Sequence, residues 1–290
     1  MKFLILFGAL FLKKLLPLPA RTTQSRSFQY WLNLWRRWPF FLKSHRHFKF
    51  MSVVIVPAIL VTLLAWQLQP FAWGLWSVAL EILLLLYVLA HLSIDEYLEE
   101  YRHDLVAGDT QGAYRCAKQY LAVPEVSLTD DVDSMNTQVI RTLLHRWFEY
   151  FFLMVFWYMV ADVAGIMLAW LSVQYARASD CDDQAWRYLH WLEWGPARLL
   201  GLTYGLAGNM VRALPVWRSY LWQWRTHSAE VLFSVACRAL SNNGEENPPC
   251  SAEQGEDAAQ ELAQWQELHW HCVSIWMVVI AVATLGGWLI

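Results

Sequence analysis

The chain predicts an all-α integral membrane protein with about four transmembrane helices and several amphipathic interfacial helices. Three observations carry that. Of 290 residues, 57% are hydrophobic and only 16% charged, where an ordinary soluble domain has about a quarter charged. Tryptophan occurs 19 times, an excess suited to membrane boundaries. Apolar runs of helical length recur at 51–66, 71–92, 148–173 and 271–290.

The formal net charge of -3 hides an asymmetry: ten of the 22 Lys and Arg precede Met51, and none follows Arg238. Such a gradient reports topology, and no nucleic-acid partner is expected. The five cysteines are odd in number and form no C-x-x-C pair. Neither a disulfide framework nor a zinc site follows, and no metal or cofactor is expected.

Taken in order, residues 1–50 read as a basic, aromatic membrane-surface segment. "MKFLILFGALFLKKLLPLPA" opens with a short apolar stretch from Phe3 to Leu12, interrupted by Lys13 and Lys14. A cleaved signal would continue to a small-residue site, so an uncleaved membrane-associated segment is expected. From Tyr30 to Phe50, aromatics interleave with Arg36, Arg37, Lys43, Arg46 and Lys49. That mixture suits a chain lying on an anionic, cytoplasmic membrane surface; the alternative is a basic flank that only orients the next helix.

Residues 51–92 form two apolar stretches broken by "QLQP", which predicts an antiparallel hairpin. Glu81 falls inside the second and should face the bundle interior, since an unpaired carboxylate is costly in lipid. Residues 93–147 turn polar and helical, with Gly108 as a stop and Asp109 as the next N-cap. A third span at 148–173 places Asp162 near its middle, the most costly residue in the chain. Gly165 and Ala169, four residues apart, offer a small face for another helix, the one feature that would suit a scaffold protein.

Residues 174–240 hold a Pro-Ala-Arg-Leu helix and interfacial helices dense in Trp, Tyr and Arg. Residues 241–270 read as an acidic, Pro-containing linker, and 271–290 as the C-terminal span. Three spans would put 174–270 opposite the N-terminus, yet that region holds seven arginines. A re-entrant segment at "WGPARLLGLTYGLAG" would reconcile the two.

The candidate site residues are Arg198, Glu149, Asp162, Glu193 and His145. Pro196 suits a first helical turn, with Glu193 at the positive end of the helix dipole. Arg198 and the free N–H groups of that turn would then bind an anionic ligand such as a phosphate or carboxylate. In the alternative, Arg198 pairs with Asp162 or Glu193 and stabilises the bundle. His145 and Glu149 share a helix face at i and i+4, as His190 and Glu193 do at i and i+3, which suits acid/base work or simple pairing. No catalytic residue is assigned on this basis. In "LHWHC", His269 and His271 point to different faces and read as interface histidines. No G-x-x-x-x-G-K-[ST] phosphate loop occurs.

"EWGPARLLGLTYGLAG", followed by "ALPVW" at Ala213–Trp217, resembles the AmpE family of bacterial inner-membrane proteins. Those are linked with induction of chromosomal β-lactamase and encoded beside a peptidoglycan-recycling amidase. The resemblance implies a multi-pass inner-membrane protein with a regulatory or sensing role in the response to β-lactams. It also implies inner-membrane or peptidoglycan-recycling components as partners beside the lipid bilayer. The family is distantly similar to the cobalamin-pathway membrane enzyme that attaches aminopropanol to a corrinoid. In that comparison Glu149 of "HRWFEY" stands for the acid before the central span, while "SVQYARAS" departs from the pattern after it. An embedded ligase or transferase is therefore the alternative function.

Overall fold

The computed structural model describes residues 2–15, 26–37, 45–68, 75–89, 95–119, 123, 132–178, 183–241 and 255–287. Every regular element among them is helical: α1 (Lys2–Leu15), α2 (Arg26–Arg36), α3 (Arg46–Phe50), α4 (Val56–Leu68), α5 (Leu75–Leu89), α6 (Asp95–Val106), α7 (Thr110–Gln119), α8 (Val132–Trp147), α9 (Leu153–Ala178), α10 (Asp183–Ala207), α11 (Met210–Tyr220), α12 (Ser228–Leu240) and α13 (Gly255–Leu285). Two π-helical turns, Met51–Ile55 and Phe148–Phe152, lead into α4 and α9. Three stretches are long and apolar enough to cross a membrane, His47–Gln67, Ser134–Ala178 and Asp257–Leu285, and Trp76–Leu89 is a shorter apolar helix. The chain is an all-α integral membrane protein.

The helices fall into two compact units. One holds α1 to α5, Glu149–Glu193 and the residues from Val282 on; the other holds α6 to α8, Phe148 and Trp194–Ala281. In the first unit α1 packs along α5, and α4 packs on both α5 and α9. The two helices of the expected hairpin thus touch, and the connection at 69–74 lies outside the described residues. Glu81 on α5 turns inward as expected and accepts a hydrogen bond from the Tyr158 hydroxyl of α9 at 2.9 Å. The amphipathic helix α2 lies against α9, with Phe28 edge-on to Trp170 at 6.3 Å.

Two prolines within helices each leave a carbonyl without its regular donor, and a tryptophan supplies one. Pro57 has no N–H for the carbonyl of Val53, four residues back. The backbone widens into the π-helical turn, with the Val56 N–H donating to the Met51 carbonyl. The Trp31 indole N–H donates to the Val53 carbonyl at 3.3 Å. Pro196 likewise withholds a donor from the carbonyl of Leu192, which accepts from the Trp157 indole at 3.2 Å. Pro196 thus sits well inside α10, which runs unbroken through "WGPARLLGLTYGLA". Two expectations are corrected: the segment is not a helix start, and it shows no irregular re-entrant backbone.

The third span is not one straight helix. Ala161 (φ -136, ψ 23) and Asp162 (φ 52, ψ -139) leave the helical region and break α9. Asp162 is exposed rather than buried at mid-span, with 57% of its side chain accessible. Beyond the break the chain folds back so far that a Cβ on Gly165 would collide with the Trp157 carbonyl oxygen. Eight residues of straight helix would separate the two by about 12 Å. Gly165 is small for its own chain's backbone, which replaces the expectation of a face for a foreign helix. The break also costs the Met159 carbonyl its regular donor. Lys2 of α1 covers the gap, its ammonium bonding that carbonyl at 3.4 Å and the Asp162 carboxylate at 2.6 Å.

In the second unit, α6 and α7 form a tight pair around Gly108 (φ 72). Asp109 accepts from the Gly112 N–H at 2.9 Å, the N-cap that the sequence foretold. Cys116 is buried there, its thiol donating to the Tyr97 carbonyl at 3.3 Å, and burial pushes it up to about 12. It stays a protonated thiol; Cys116, Cys237 and Cys272 are all free and buried, whereas Cys181 and Cys250 lie outside the described residues. Helices α11 and α12 pack on each other, and α12 packs on α8. At the end of α10 a Cβ on Gly208 would meet the Ala239 carbonyl, which instead accepts from the Asn209 N–H at 2.7 Å.

The last helix begins at Gly255, so the expected linker to 270 is corrected; residues 242–254 of it lie outside the described residues. From there on the acidic stretch does have an apolar face. Ala258, Leu262, Trp265 and Cys272 are all buried at helical spacing, and the early acidic residues suit a helix N-terminus. Buried Glu261 accepts from the Asn136 amide at 3.0 Å and from the Trp265 indole at 3.3 Å.

Two expected outcomes follow. Trp31→Phe should lower unfolding stability in detergent by about 1–3 kcal/mol, the cost of an unsatisfied buried acceptor. In a Pro57→Ala background, which restores the N–H, the same substitution should cost far less, as a double-mutant cycle on thermal unfolding would read. Gly165→Leu should abolish membrane accumulation of the protein on immunoblots, because backbone rather than a flexible side chain blocks the new Cβ.

Candidate functional site

Five residues were singled out as a site, and the two units divide them. Glu149, Asp162 and Glu193 belong to the first unit, His145 and Arg198 to the second.

Arg198 answers the question of why a charge stands in an apolar helix. Its residue is only 4% exposed, and its guanidinium donates to main-chain carbonyls: Gln223 at 2.8 Å, Trp194 at 3.3 Å and Tyr220 at 3.5 Å. Tyr220 ends α11, whose last carbonyls have no helical donors and carry the negative end of the dipole. In return the Trp217 indole donates to the Arg198 carbonyl at 2.7 Å. The guanidinium also lies 5.1 Å over the ring of Trp194, which stacks on Trp224 at 4.4 Å and 3°. Burial lowers the Arg198 pKa, since desolvation penalises its charged form. Neither sequence expectation holds: Arg198 does not stand on a first turn, and it has no carboxylate partner among the described residues.

Asp162 is likewise spoken for, by Lys2 at the break in α9. His145 is half-buried on α8, its ring 6.2 Å from that of Phe148. His269 is buried and stacks on Trp147 at 4.2 Å, while His271 points outward, so the two do face different ways.

What remains is a charged cluster inside the first unit. Glu149 lies in the π-helical turn Phe148–Phe152 and is 1% exposed. Arg177, near the end of α9, forms an ion pair with it and donates a second hydrogen bond to the Tyr150 hydroxyl. The same guanidinium lies 4.9 Å over the Tyr150 ring. Glu193 of α10, 4% exposed, brings a carboxylate oxygen within 4.8 Å of one of Glu149. Two buried carboxylates therefore lie close together, one of them paired with a guanidinium. An anion entering here would exchange with Glu149 for Arg177.

Arg177 is the residue that sequence reasoning missed. It stands 28 positions from Glu149, about 42 Å along a straight helix. Only the break at Ala161 and Asp162 brings the two together. The available signal was Arg177 itself, a cation at the end of a long apolar run that also carries a glutamate at its start.

Arg198→Met should lower thermal stability by about 1.5–3 kcal/mol per charged hydrogen bond left unmade, and open the 221–227 segment to protease in purified protein. Arg198→Lys should recover part of the loss. Loss of function without loss of stability would instead return Arg198 to a ligand site.

No solved structure matches the chain. A curated relative, the "Cobalamin biosynthesis protein CobD" of Stutzerimonas stutzeri (strain A1501), is 26% identical over 253 residues, covering 79% of each chain. The family model "Regulatory signalling modulator protein AmpE" matches residues 26–290, so the apolar helices, the buried ion pair and the Pro-Ala-Arg-Leu segment are those of a regulatory membrane protein that belongs to the AmpE family.

Proposed function

We propose that the protein is a multi-pass protein of the bacterial inner membrane that modulates β-lactamase induction and the cell-wall response. Its working part is the Glu149–Arg177–Tyr150 cluster with Glu193. Membership of the AmpE family supports the regulatory role, and the apolar helices support the location. The single observation that carries the site is the buried ion pair between Glu149 and Arg177 in a membrane-spanning stretch, where ionisable groups mark function by default. An anionic ligand would compete with Glu149 for Arg177 and displace its carboxylate beside Glu193. Other inner-membrane or peptidoglycan-recycling components are the partners that would read the change.

Removing one partner of a buried pair typically costs about 3–5 kcal/mol, while removing both is far milder. The informative variant is therefore Glu149→Gln with Arg177→Met. It should accumulate in membranes to near the parental level, whereas Arg177→Met alone should not. With the double variant as the sole copy, β-lactamase activity after a β-lactam challenge should fall several-fold relative to the parent. Unchanged induction at equal protein level would sink the proposal.

The second reading, a membrane-embedded ligase or transferase, is favoured by the similarity to the cobalamin biosynthesis protein along most of both chains. Glu149 would be its acid. Purified protein that neither turns over ATP nor binds a corrinoid would dispose of it.

A further inference from the structure

A cavity of about 520 Å³ opens in the first unit, with apolar walls. Pro57, Leu60 and Leu64 of α4 form one wall, and Leu80, Leu83 and Leu84 of α5 another. Trp170 of α9 closes the floor, and Phe28 and Trp31 of α2 form the roof. Leu60, Leu64 and Leu83 are each about half exposed or more, at 56%, 49% and 69%. The groove therefore opens sideways between a helix long and apolar enough to cross a membrane and a shorter apolar one.

The roof helix supplies the second observation. The apolar face of α2 is held on the bundle by the Trp31 hydrogen bond and the Phe28–Trp170 contact. The helix ends in Arg36 and Arg37, both exposed and both without an acidic partner among the described residues. Arg36 stands five residues beyond Trp31, about 8 Å along the helix. Two exposed guanidinium groups thus stand at the C-terminal end of the roof helix, beyond the residues that line the groove, on a helix of the kind that lies in the membrane interface. Apolar walls under a helix with a doubly cationic end match one molecule type already surrounding the protein.

We propose that this groove binds an anionic phospholipid, with one acyl chain between α4 and α5 beneath α2 and the phosphate held by Arg36 and Arg37. Guanidinium recognises phosphate oxygens in a bidentate manner, which a neutral zwitterionic headgroup rewards less. The lipid would fasten α2 to the bundle at the surface where the basic N-terminal region meets the bilayer.

The test is native mass spectrometry of the full-length protein, released from detergent after incubation with phosphatidylglycerol or phosphatidylcholine of identical chains. At about a fivefold gain per arginine, one phosphatidylglycerol should be retained about twenty-five-fold better than phosphatidylcholine. Arg36→Gln with Arg37→Gln changes only exposed side chains and should bring that preference down to about one. Leu60→Trp with Leu83→Trp, which crowds the groove from its lipid-facing side, should reduce retention of both lipids. Equal retention of the two lipids by the parent protein would mean an unselective annulus and overturn the site. A dimer that the groove variant dissociates would assign the groove to a second copy and overturn it too. Retention of a polyprenyl phosphate in place of phosphatidylglycerol would refute the bilayer-lipid assignment. Circular dichroism and thermal unfolding of each variant would distinguish a lost site from a lost fold.

Discussion

The structure depends on one constraint: in lipid, a helix carbonyl without a donor has no water to turn to. At several places where the described helices depart from regular geometry, a side-chain donor is waiting. Trp31 serves the carbonyl above Pro57, Trp157 the one above Pro196, and Lys2 the one released where α9 breaks. Arg198 serves the end of α11 and the turn after it. An indole is apt for the task, because it buries a large apolar ring and carries one N–H donor with no acceptor to be left over. The tryptophan excess is thus partly a requirement of the backbone, over and above anchoring at the membrane boundary.

The break in α9 shows what such support allows. A positive φ at a non-glycine residue is strained and persists only where the surroundings hold it. Here the Lys2 ammonium binds both the freed carbonyl and the Asp162 carboxylate, and Gly165 lets the returning chain approach the Trp157 carbonyl. Those local features have a distant effect, since the fold-back carries Arg177 to Glu149. The charged cluster is built by a backbone irregularity many residues away from either of its charges.

Much of the fold was legible in the sequence because hydropathy and periodicity report burial directly. The inward turn of Glu81, the Gly108 stop and the Asp109 cap all came from local rules. What escaped was whatever depended on partners distant in the chain. Pro196 looked like a helix start because its substitute donor, Trp157, lies far upstream. Asp162 looked like a buried mid-span charge because nothing local announces a break that Lys2 must complete. The start of α13 was taken for linker because its acidic residues masked an apolar face at Ala258, Leu262 and Trp265. Glu149 and Glu193 were legible as candidates, being carboxylates in an apolar setting, but Arg177 was not, since a straight-helix reading keeps it remote.

The same accounting separates structural charge from functional charge. Lys2 and Asp162 are explained by the break in α9, and Arg198 by the carbonyls at the end of α11. Glu261 is held by the Asn136 amide and the Trp265 indole and ties α8 to α13. None of these needs a ligand to account for its burial or its position. Glu149, Arg177 and Glu193 differ: no broken helix requires them, and an apolar trio would avoid the desolvation cost that two carboxylates and a guanidinium impose. A buried charged cluster that the backbone does not require responds most when an ion joins it. That is the property a membrane regulator needs in its sensing part, and it is why the functional reading rests on this cluster and not on the arginine that first drew attention.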